Sequence, residues 1–134
     1  MPRSRRDLGN EAEDRAATYL LSLGYSLITR RYSARGGEID IIAMDGTMLV
    51  FVEVKSRRDS LPEEALTPRK SSRLKVAANA YMNAVDSPSH PYRFDLVAVT
   101  PSEIRHYPGV AFHSSEPTQA TESSDEWSPD PPAG

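Results

Sequence analysis

Two β-rich segments joined by a tight turn constrain this chain more than any other part of its sequence. Residues 38–44 and 47–56 are rich in Ile, Val and Phe. Between them stands Asp45-Gly46, a strong signal for a two-residue type I′ turn. The region therefore predicts an antiparallel β-hairpin whose register is set by the turn.

The register of this hairpin decides which side chains share a face. Counting back from the turn gives these pairs: Met44 with Thr47, Ile42 with Leu49, Asp40 with Phe51, and Glu38 with Glu53. Since opposed and alternate residues share a face, one side is expected to carry these charged side chains: Glu38, Asp40, Glu53 and Lys55. The other side carries an apolar set suited to a core: Ile39, Ile41, Ala43, Val50, Val52 and Val54. Ile42, Leu49 and Phe51 lie on the charged side, so that side must itself be partly covered.

The charged side of the hairpin has the residue types of a metal-dependent site. In this register the Cα atoms of Asp40 and Glu53 lie roughly 7–8 Å apart, so their carboxylates can share a cation. Oxygen ligands of this kind suit Mg²⁺ or Mn²⁺. Such an ion would polarise a phosphodiester, and Lys55 would stabilise the charge that develops. Two plainer interpretations stay open at this point: solvated side chains on an exposed hairpin, and a cross-strand salt bridge.

The segments around the hairpin predict an α/β domain. One helix is expected over about residues 5–23, with an apolar stripe of Leu8, Ala12, Tyr19, Leu20 and Leu23. A second is expected from about Thr67, with a stripe of Leu74, Ala77, Ala78, Tyr81 and Val85. Extended segments are expected over residues 25–32, 94–99 and 103–107, with residues 33–37 as a break. The apolar run at 94–99 suits a strand covered on both faces, as in a mixed sheet flanked by helices.

Several other residues have two interpretations. Glu13 borders the stripe of the first helix, so it either pairs with an Arg or Lys there or leans over the core edge into a site. Basic residues near the hairpin and at the start of the second helix either meet phosphate oxygens or form a solvated face; they are Arg35, Arg69, Lys70 and Arg73. The histidines form no ligand pair and are interpreted as surface or loop residues: His90, His106 and His113.

Composition and charge exclude several classes of protein. The longest apolar run, Met48 to Val52, is too short for a membrane helix. No secretory signal is expected, because no apolar segment follows the first basic residues. The chain has no cysteine, which excludes disulfides and thiolate zinc sites. We therefore expect a cytoplasmic protein without a membrane partner. Residues 1–113 hold all 16 Lys and Arg against 14 Asp and Glu, so a nucleic-acid partner must be argued from the site rather than from charge.

The last 21 residues differ from the rest. Residues 114–134 are rich in Pro and Ser and carry five acids with no base. Such a segment cannot bury enough apolar surface to offset its ordering entropy, so a disordered acidic tail is predicted after one domain at residues 1–113.

Two motifs resemble a known family. Arg35-Gly36-Gly37-Glu38-Ile39-Asp40 followed by Phe51-Val52-Glu53-Val54-Lys55 resembles the signature of the YraN-like bacterial family. That family is similar to archaeal Holliday junction resolvases and, more distantly, to restriction-endonuclease-like PD-(D/E)XK nucleases. The match extends over about residues 5–113 and includes Glu13, Pro68-Arg69-Lys70 and Arg93-Phe94-Asp95. Two departures are Ala12, where the family commonly has Gly, and Ile39, where the nuclease signature has Pro.

The resemblance implies a fold and an activity. It implies a restriction-endonuclease-like core with a central mixed sheet of four to five strands flanked by helices, in the order α-β-β-β-α-β-β. It implies metal carboxylates at Asp40 and Glu53, a catalytic lysine at Lys55, and Glu13 as the acid of the first helix. The expected activity is Mg²⁺- or Mn²⁺-dependent endonuclease cleavage of nucleic acid, with branched or damaged DNA as the candidate substrate and a homodimer left open. The alternatives are a nucleic-acid-binding module of the same fold that does not cleave, and a protein-interaction adaptor with a structural acid cluster.

Removal of residues 114–134 is expected to leave the melting temperature unchanged, because that segment contributes no buried apolar surface. Thermal unfolding followed by circular dichroism compares the full chain with the shortened one. A clear drop in the melting temperature would contradict the predicted disorder.

Overall fold

The computed structural model describes residues 5–56 and 68–110, with side chains described from Asn10 in the first helix and from Ser71 in the second. The elements are α1 (Arg5–Ser22), β1 (Ser26–Ala34), β2 (Gly37–Asp45), β3 (Met48–Ser56), α2 (Pro68–Ala84), β4 (Tyr92–Val99) and β5 (Ile104–Tyr107). This order confirms the predicted succession α-β-β-β-α-β-β. The predicted tail lies outside the described residues.

All five strands form one sheet in the order β1-β2-β3-β4-β5. Neighbouring strands are antiparallel except β3 and β4, which run parallel and are connected through α2. A parallel pair needs such a crossover connection, because its strands begin at the same edge of the sheet. The sheet is therefore mixed, as predicted, and has five strands.

The two helices cover opposite faces of the sheet and form two apolar clusters. The α1 cluster contains these residues: Ala12, Ala16, Ala17, Leu20, Tyr25, Ile41, Ala43, Val50, Val52, Val97 and Val99. The α2 cluster contains these: Ile39, Ile42, Leu49, Phe51, Leu74, Ala77, Ala78, Met82 and Phe94. Ile42, Leu49 and Phe51 are thus covered by α2, which confirms that the charged side of the hairpin is partly covered.

Two residues assigned to the helical stripes are exposed. Leu23 is 48% exposed and Val85 is 46% exposed, so their predicted burial is wrong. The physical reason is the same for both, since α1 ends at Ser22 and α2 at Ala84, and helical periodicity does not extend beyond those ends. Leu8 lies outside the described side chains.

The β2–β3 turn differs from the predicted one by a shift that preserves the faces. Asp45 pairs with Met48, so the loop is Gly46-Thr47 and not Asp45-Gly46. Gly46 has a φ of 63°, and glycine at the first loop position is typical of a type II′ turn, which does not require the left-handed conformation at Asp45. The register moves by two residues, so the predicted pairing of Asp40 with Phe51 is wrong. Because the shift is even, it does not by itself move any side chain to the other side of the ladder.

One residue of β2 does change sides. Ile39 packs in the α2 cluster, whereas Ile41 packs in the α1 cluster, although alternate residues of a regular strand share a face. On β1, the residue between the partners of Ile39 and Ile41 is Arg31, which has a left-handed φ of 57°. The backbone is therefore irregular on both strands beside Asp40, and the prediction that Ile39 lies with Ile41 is wrong.

Gly37 starts β2 where the strand touches the backbone of α2. The β1–β2 loop consists only of Arg35 and Gly36, since β1 continues to Ala34, farther than predicted. A Cβ atom added to Gly37 would lie 2.0 Å from the carbonyl oxygen of Arg73. Only glycine permits this approach, because any side chain would collide with helix backbone that cannot move aside.

Gly37→Ala is expected to lower the free energy of unfolding by about 3 kcal/mol, the upper end of the usual cost of overpacking. Urea unfolding of the variant measures this loss. Gly24→Ala is the matched control, since Gly24 has a φ of 94° but no atom within 4 Å of an added Cβ, so it costs only backbone strain. An equal loss in both variants would show that close approach to α2 is not the reason for Gly37.

Candidate functional site

Asp40 lies where the backbone pairing of β2 and β3 stops. The last residues in that ladder are Ile41 and Val52, and continuing the register by one residue sets Asp40 opposite Glu53. The next free amide of β3, that of Val54, donates a hydrogen bond to Oδ2 of Asp40 at 2.7 Å. The carboxylate therefore takes the place of a backbone acceptor and is fixed at the end of the hairpin.

Asp40 and Glu53 contact each other directly. Their carboxyl groups lie within hydrogen-bonding reach of each other. Burial raises the pKa of Asp40 above its ordinary value, and the negative charges of Glu13 and Glu38 raise it further. The hydrogen bonds with the Val54 amide and with Glu53 oppose this rise. Two carboxyl groups predicted to be diagonal neighbours thus lie side by side at the end of the hairpin.

Glu13 brings a third carboxylate from α1 to the same place. It is 7% exposed, and its Oε1 atom accepts hydrogen bonds from Nη2 of Arg30 and Nε of Arg31, each at 3.1 Å. Both interpretations of Glu13 therefore describe part of its environment. It pairs with arginines at the flank of the helix, and its charge also acts on Asp40.

Lys55 follows Glu53 along β3. Both are half-buried, and the ladder with β4 is regular there, with Glu53 opposite Leu96 and Lys55 opposite Ala98. Alternate residues of a regular strand share a face, so Lys55 and Glu53 project from the α2 side, as Phe51 does. The structure brings Asp40 and Glu53 together and places Lys55 next along the same strand, and Glu13 lies near enough for its charge to act on Asp40.

Basic residues flank this cluster on the α2 side. Arg35 lies in the β1–β2 loop, and the two residues after it lie next to Val76 and the backbone of Arg73 in α2. The side chains of Arg35 and Arg73 are both exposed. The contact of the loop with the helix therefore places two cationic residues along one edge, near the start of β2. The side chains of Arg69 and Lys70 lie outside the described ones.

The donor chemistry of the cluster fits a hard divalent cation, although no complete ligand shell is preformed. Among residues 5–56 and 68–110, no group of three or more His, Cys, Asp or Glu side chains is arranged to hold a metal ion. Asp40 and Glu53 supply two carboxylates, and Mg²⁺ commonly uses one or two while it keeps several waters. A cation there would also stabilise the ionised form of Asp40, which burial and the charges of Glu13 and Glu38 disfavour.

A second polar cluster, which the sequence analysis did not predict, lies around Asp95 in β4. Asp95 is fully buried and accepts hydrogen bonds from Nε of Arg93 at 2.9 Å, the amide of Gly109 at 3.0 Å and Nε2 of His106 at 2.7 Å. Burial pushes the pKa of Asp95 upward, but these hydrogen bonds outweigh it and hold the pKa below its ordinary value. An aspartate inside the apolar run at 94–99 was the signal, since a buried charge needs partners.

His106 belongs to this second cluster, and its interpretation as a surface or loop residue is wrong. Its side chain is only 8% exposed, and its ring packs edge-on against Tyr19 and Tyr25. Because it lies on β5 and bonds to β4 and the end of α1, it helps to hold the last strand on the sheet. His90 is different: its Nε2 atom is 2.9 Å from the carbonyl oxygen of Thr47, at the surface.

Asp40, which is half-buried, and Asp95, which is fully buried, are expected to affect stability with opposite signs. The raised pKa of Asp40 means that the folded protein retains a proton that the unfolded chain has lost, so stability falls as pH rises from the unfolded pKa through the folded one. Asp40→Asn is therefore expected to raise the free energy of unfolding at pH 7 by about 1 kcal/mol. The lowered pKa of Asp95 gives stability that is present above the unfolded pKa and lost as pH falls, and Asp95→Asn is expected to cost about 3 kcal/mol.

Urea unfolding between pH 3 and pH 8 measures both effects. Asp14→Asn is the control, since the Asp14 side chain is 66% exposed and should change stability little. A destabilised Asp40→Asn protein at pH 7 would show that this carboxylate is satisfied in the free protein.

Comparison with known proteins identifies the family. The model of Uncharacterised protein family UPF0102 matches residues 12–99. A UPF0102 protein of Chlorobium phaeobacteroides is 44% identical over 69% of this chain and 76% of its own length. One from Symbiobacterium thermophilum is 46% identical over 72% of this chain and 84% of its own length, and one from Carboxydothermus hydrogenoformans is 37% identical over 80% and 97%. This chain belongs to the UPF0102 family, the YraN-like bacterial family that its hairpin motifs resemble.

Proposed function

We propose that this protein is a metal-dependent endonuclease that hydrolyses phosphodiester bonds in nucleic acid, with branched or damaged DNA as its substrate class. One observation carries the proposal: carboxyl groups from α1, β2 and β3 converge at Asp40, with a lysine next along β3. Acids that are held together at the cost of mutual repulsion are typical of a functional site.

Each residue of the proposed site has a separate role. Asp40 and Glu53 would hold Mg²⁺ or Mn²⁺, and the bound ion would polarise the phosphodiester and lower the pKa of a water. The Asp40 carboxylate is oriented by the Val54 amide, so its position does not depend on the ion. Lys55 stabilises the negative charge that develops on the phosphate oxygens. Glu13 is oriented by Arg30 and Arg31 and sets the negative potential around Asp40.

The basic edge beside the site supports nucleic acid as the substrate. Arg35 and Arg73 are exposed on the side of the sheet that α2 covers, where they can contact phosphate oxygens of a backbone bound across Asp40. Arg69 and Lys70 at the start of α2 belong to the same proposed contact. A cytoplasmic location and assembly as a homodimer complete the proposal. Within the described residues, neither helix has the length and hydropathy to cross a membrane.

A second candidate is a nucleic-acid-binding module that does not cleave. This alternative is favoured by the absence of a third metal-ligating side chain among the described residues. It is also favoured by the two arginines that donate hydrogen bonds to Glu13. Such a module would bind through the basic edge with a steep dependence on salt and give no metal-stimulated product.

Purified protein with Mg²⁺ or Mn²⁺ is expected to cut at least one substrate in a panel of linear, flapped and four-way DNA. Asp40→Asn, Glu53→Gln and Lys55→Met are each expected to lower the cleavage rate by about 100-fold or more, as the loss of one stabilising group commonly does. Single-turnover rates on labelled substrates measure the effect.

Glu38→Gln is the matched control, because Glu38 is exposed and acts on Asp40 only through its charge. It should cut nearly as fast as the unmodified protein. Cleavage that persists in Asp40→Asn and Lys55→Met proteins would assign the activity to another site or a contaminant. Salt-dependent binding without cleavage would favour the second candidate.

A further inference from the structure

Ser71 in α2 is a buried hydroxyl group without a hydrogen-bond partner. The residue is 2% exposed, and its Oγ atom is one of two buried side-chain polar atoms in the described part of the chain that lack a partner, the other being Nε of Arg30. A hydroxyl buried without a partner is destabilising, and native proteins rarely keep one without a reason. The mechanism proposed above does not use this residue.

The position of Ser71 on its helix places it over the sheet. It precedes Leu74 by three residues and Ala78 by seven, and both of these belong to the α2 cluster with Phe51. Residues at these spacings lie on one side of a helix. The hydroxyl group is therefore on the side of α2 that faces the strands, not the side that faces solvent.

The direction of α2 decides which end of the strands Ser71 meets. Near the end of the helix, Ala78 and Met82 line a groove with Tyr92 and Phe94, at the start of β4. Arg73, in the first turns of α2, lies against Gly37 at the start of β2. Because β2 and β3 are antiparallel, the start of β2 lies beside the end of β3, where Lys55 is located. Ser71 precedes Arg73 by two residues, or roughly 3 Å along the helix axis, so it lies at the same end of the sheet as Lys55.

We propose that Ser71 is a positioning residue for Lys55: its hydroxyl oxygen accepts a hydrogen bond from the Lys55 ammonium group when nucleic acid is bound. This inference rests on the proposed nuclease function. Serine has three staggered side-chain rotamers, so a rotation of about 120° about χ1 can turn Oγ toward the strand. In the free protein the hydroxyl contributes nothing to stability, and in the complex it fixes the direction in which the lysine charge meets the phosphate.

A positioning role and a structural role predict different results for Ser71→Ala. If Ser71 positions Lys55, the variant should melt at or above the temperature of the unmodified protein, because it removes an unpaired buried hydroxyl. Its single-turnover cleavage rate should fall about tenfold or more with little change in the Kd for DNA, since hydrogen bonds to charged groups are strong. Ser71→Cys keeps the size of the side chain with a much weaker acceptor and should behave in the same way.

Ser72→Ala is the matched control, since Ser72 is the exposed neighbour in the same turn and should change neither quantity. A second readout does not depend on cleavage: the ¹H–¹³C NMR signal of the Lys55 ε-methylene group. On addition of Mg²⁺ and four-way DNA, this signal should shift in the unmodified and Ser72→Ala proteins, and shift differently in Ser71→Ala.

The outcomes separate this inference from the function on which it rests. An unmodified protein that neither cuts nor binds any DNA in the panel would refute the proposed function. If the unmodified protein cuts, a Ser71→Ala protein that cuts at the same rate, or that melts several degrees lower, would overturn the role of Ser71 alone. If the unmodified protein binds without cutting, an identical Lys55 signal in both proteins would overturn it.

Discussion

The hydrogen bond from the Val54 amide to the Asp40 carboxylate determines how this end of the sheet is built. A side-chain oxygen accepts the bond that a backbone carbonyl would accept if the ladder continued, so β2 is free to depart from regular pairing without leaving a buried donor unsatisfied. Ile39 can then turn to the α2 cluster while Ile41 stays in the α1 cluster. Asp40 lies between Ile39 and Ile41, which face opposite sides of the sheet. Carboxylates from either side of the sheet can therefore act on it.

The hairpin shows what sequence reasoning can and cannot reach in this protein. Alternation fixed the sides of most residues in β3, and an error of two residues in the turn left those sides intact. The change of face at Ile39 had no such signal, because it accompanies a left-handed conformation at Arg31, a residue type that rarely adopts it. The buried pair of Asp95 and His106 depended on a contact between strands, which local pattern does not report.

Asp40 and Asp95 show why burial alone does not mark a functional acid. Asp95 has an arginine, a histidine and a backbone amide around it, so its charge is satisfied and it holds β4, β5 and the segment at Gly109 together. Asp40 is desolvated by burial and lies near the negative charges of Glu13 and Glu38, and together these outweigh its hydrogen bonds with the Val54 amide and Glu53 and raise its pKa. A carboxylate with a structural role is surrounded by hydrogen-bond donors, whereas a carboxylate with acidic neighbours is suited to binding a cation from solution.

The close approach at Gly37 explains why acids and bases meet at the same end of the molecule. With no side chain in the way, the start of β2 lies directly against the backbone of α2 at Arg73. Three residues later, Asp40 lies close enough to α1 for the charge of Glu13 to act on it. A bulkier residue at position 37 would move α2 away and separate the basic edge from the acid cluster. The glycine that the fold requires thus also sets the distance between the proposed phosphate contacts and the proposed metal ligands.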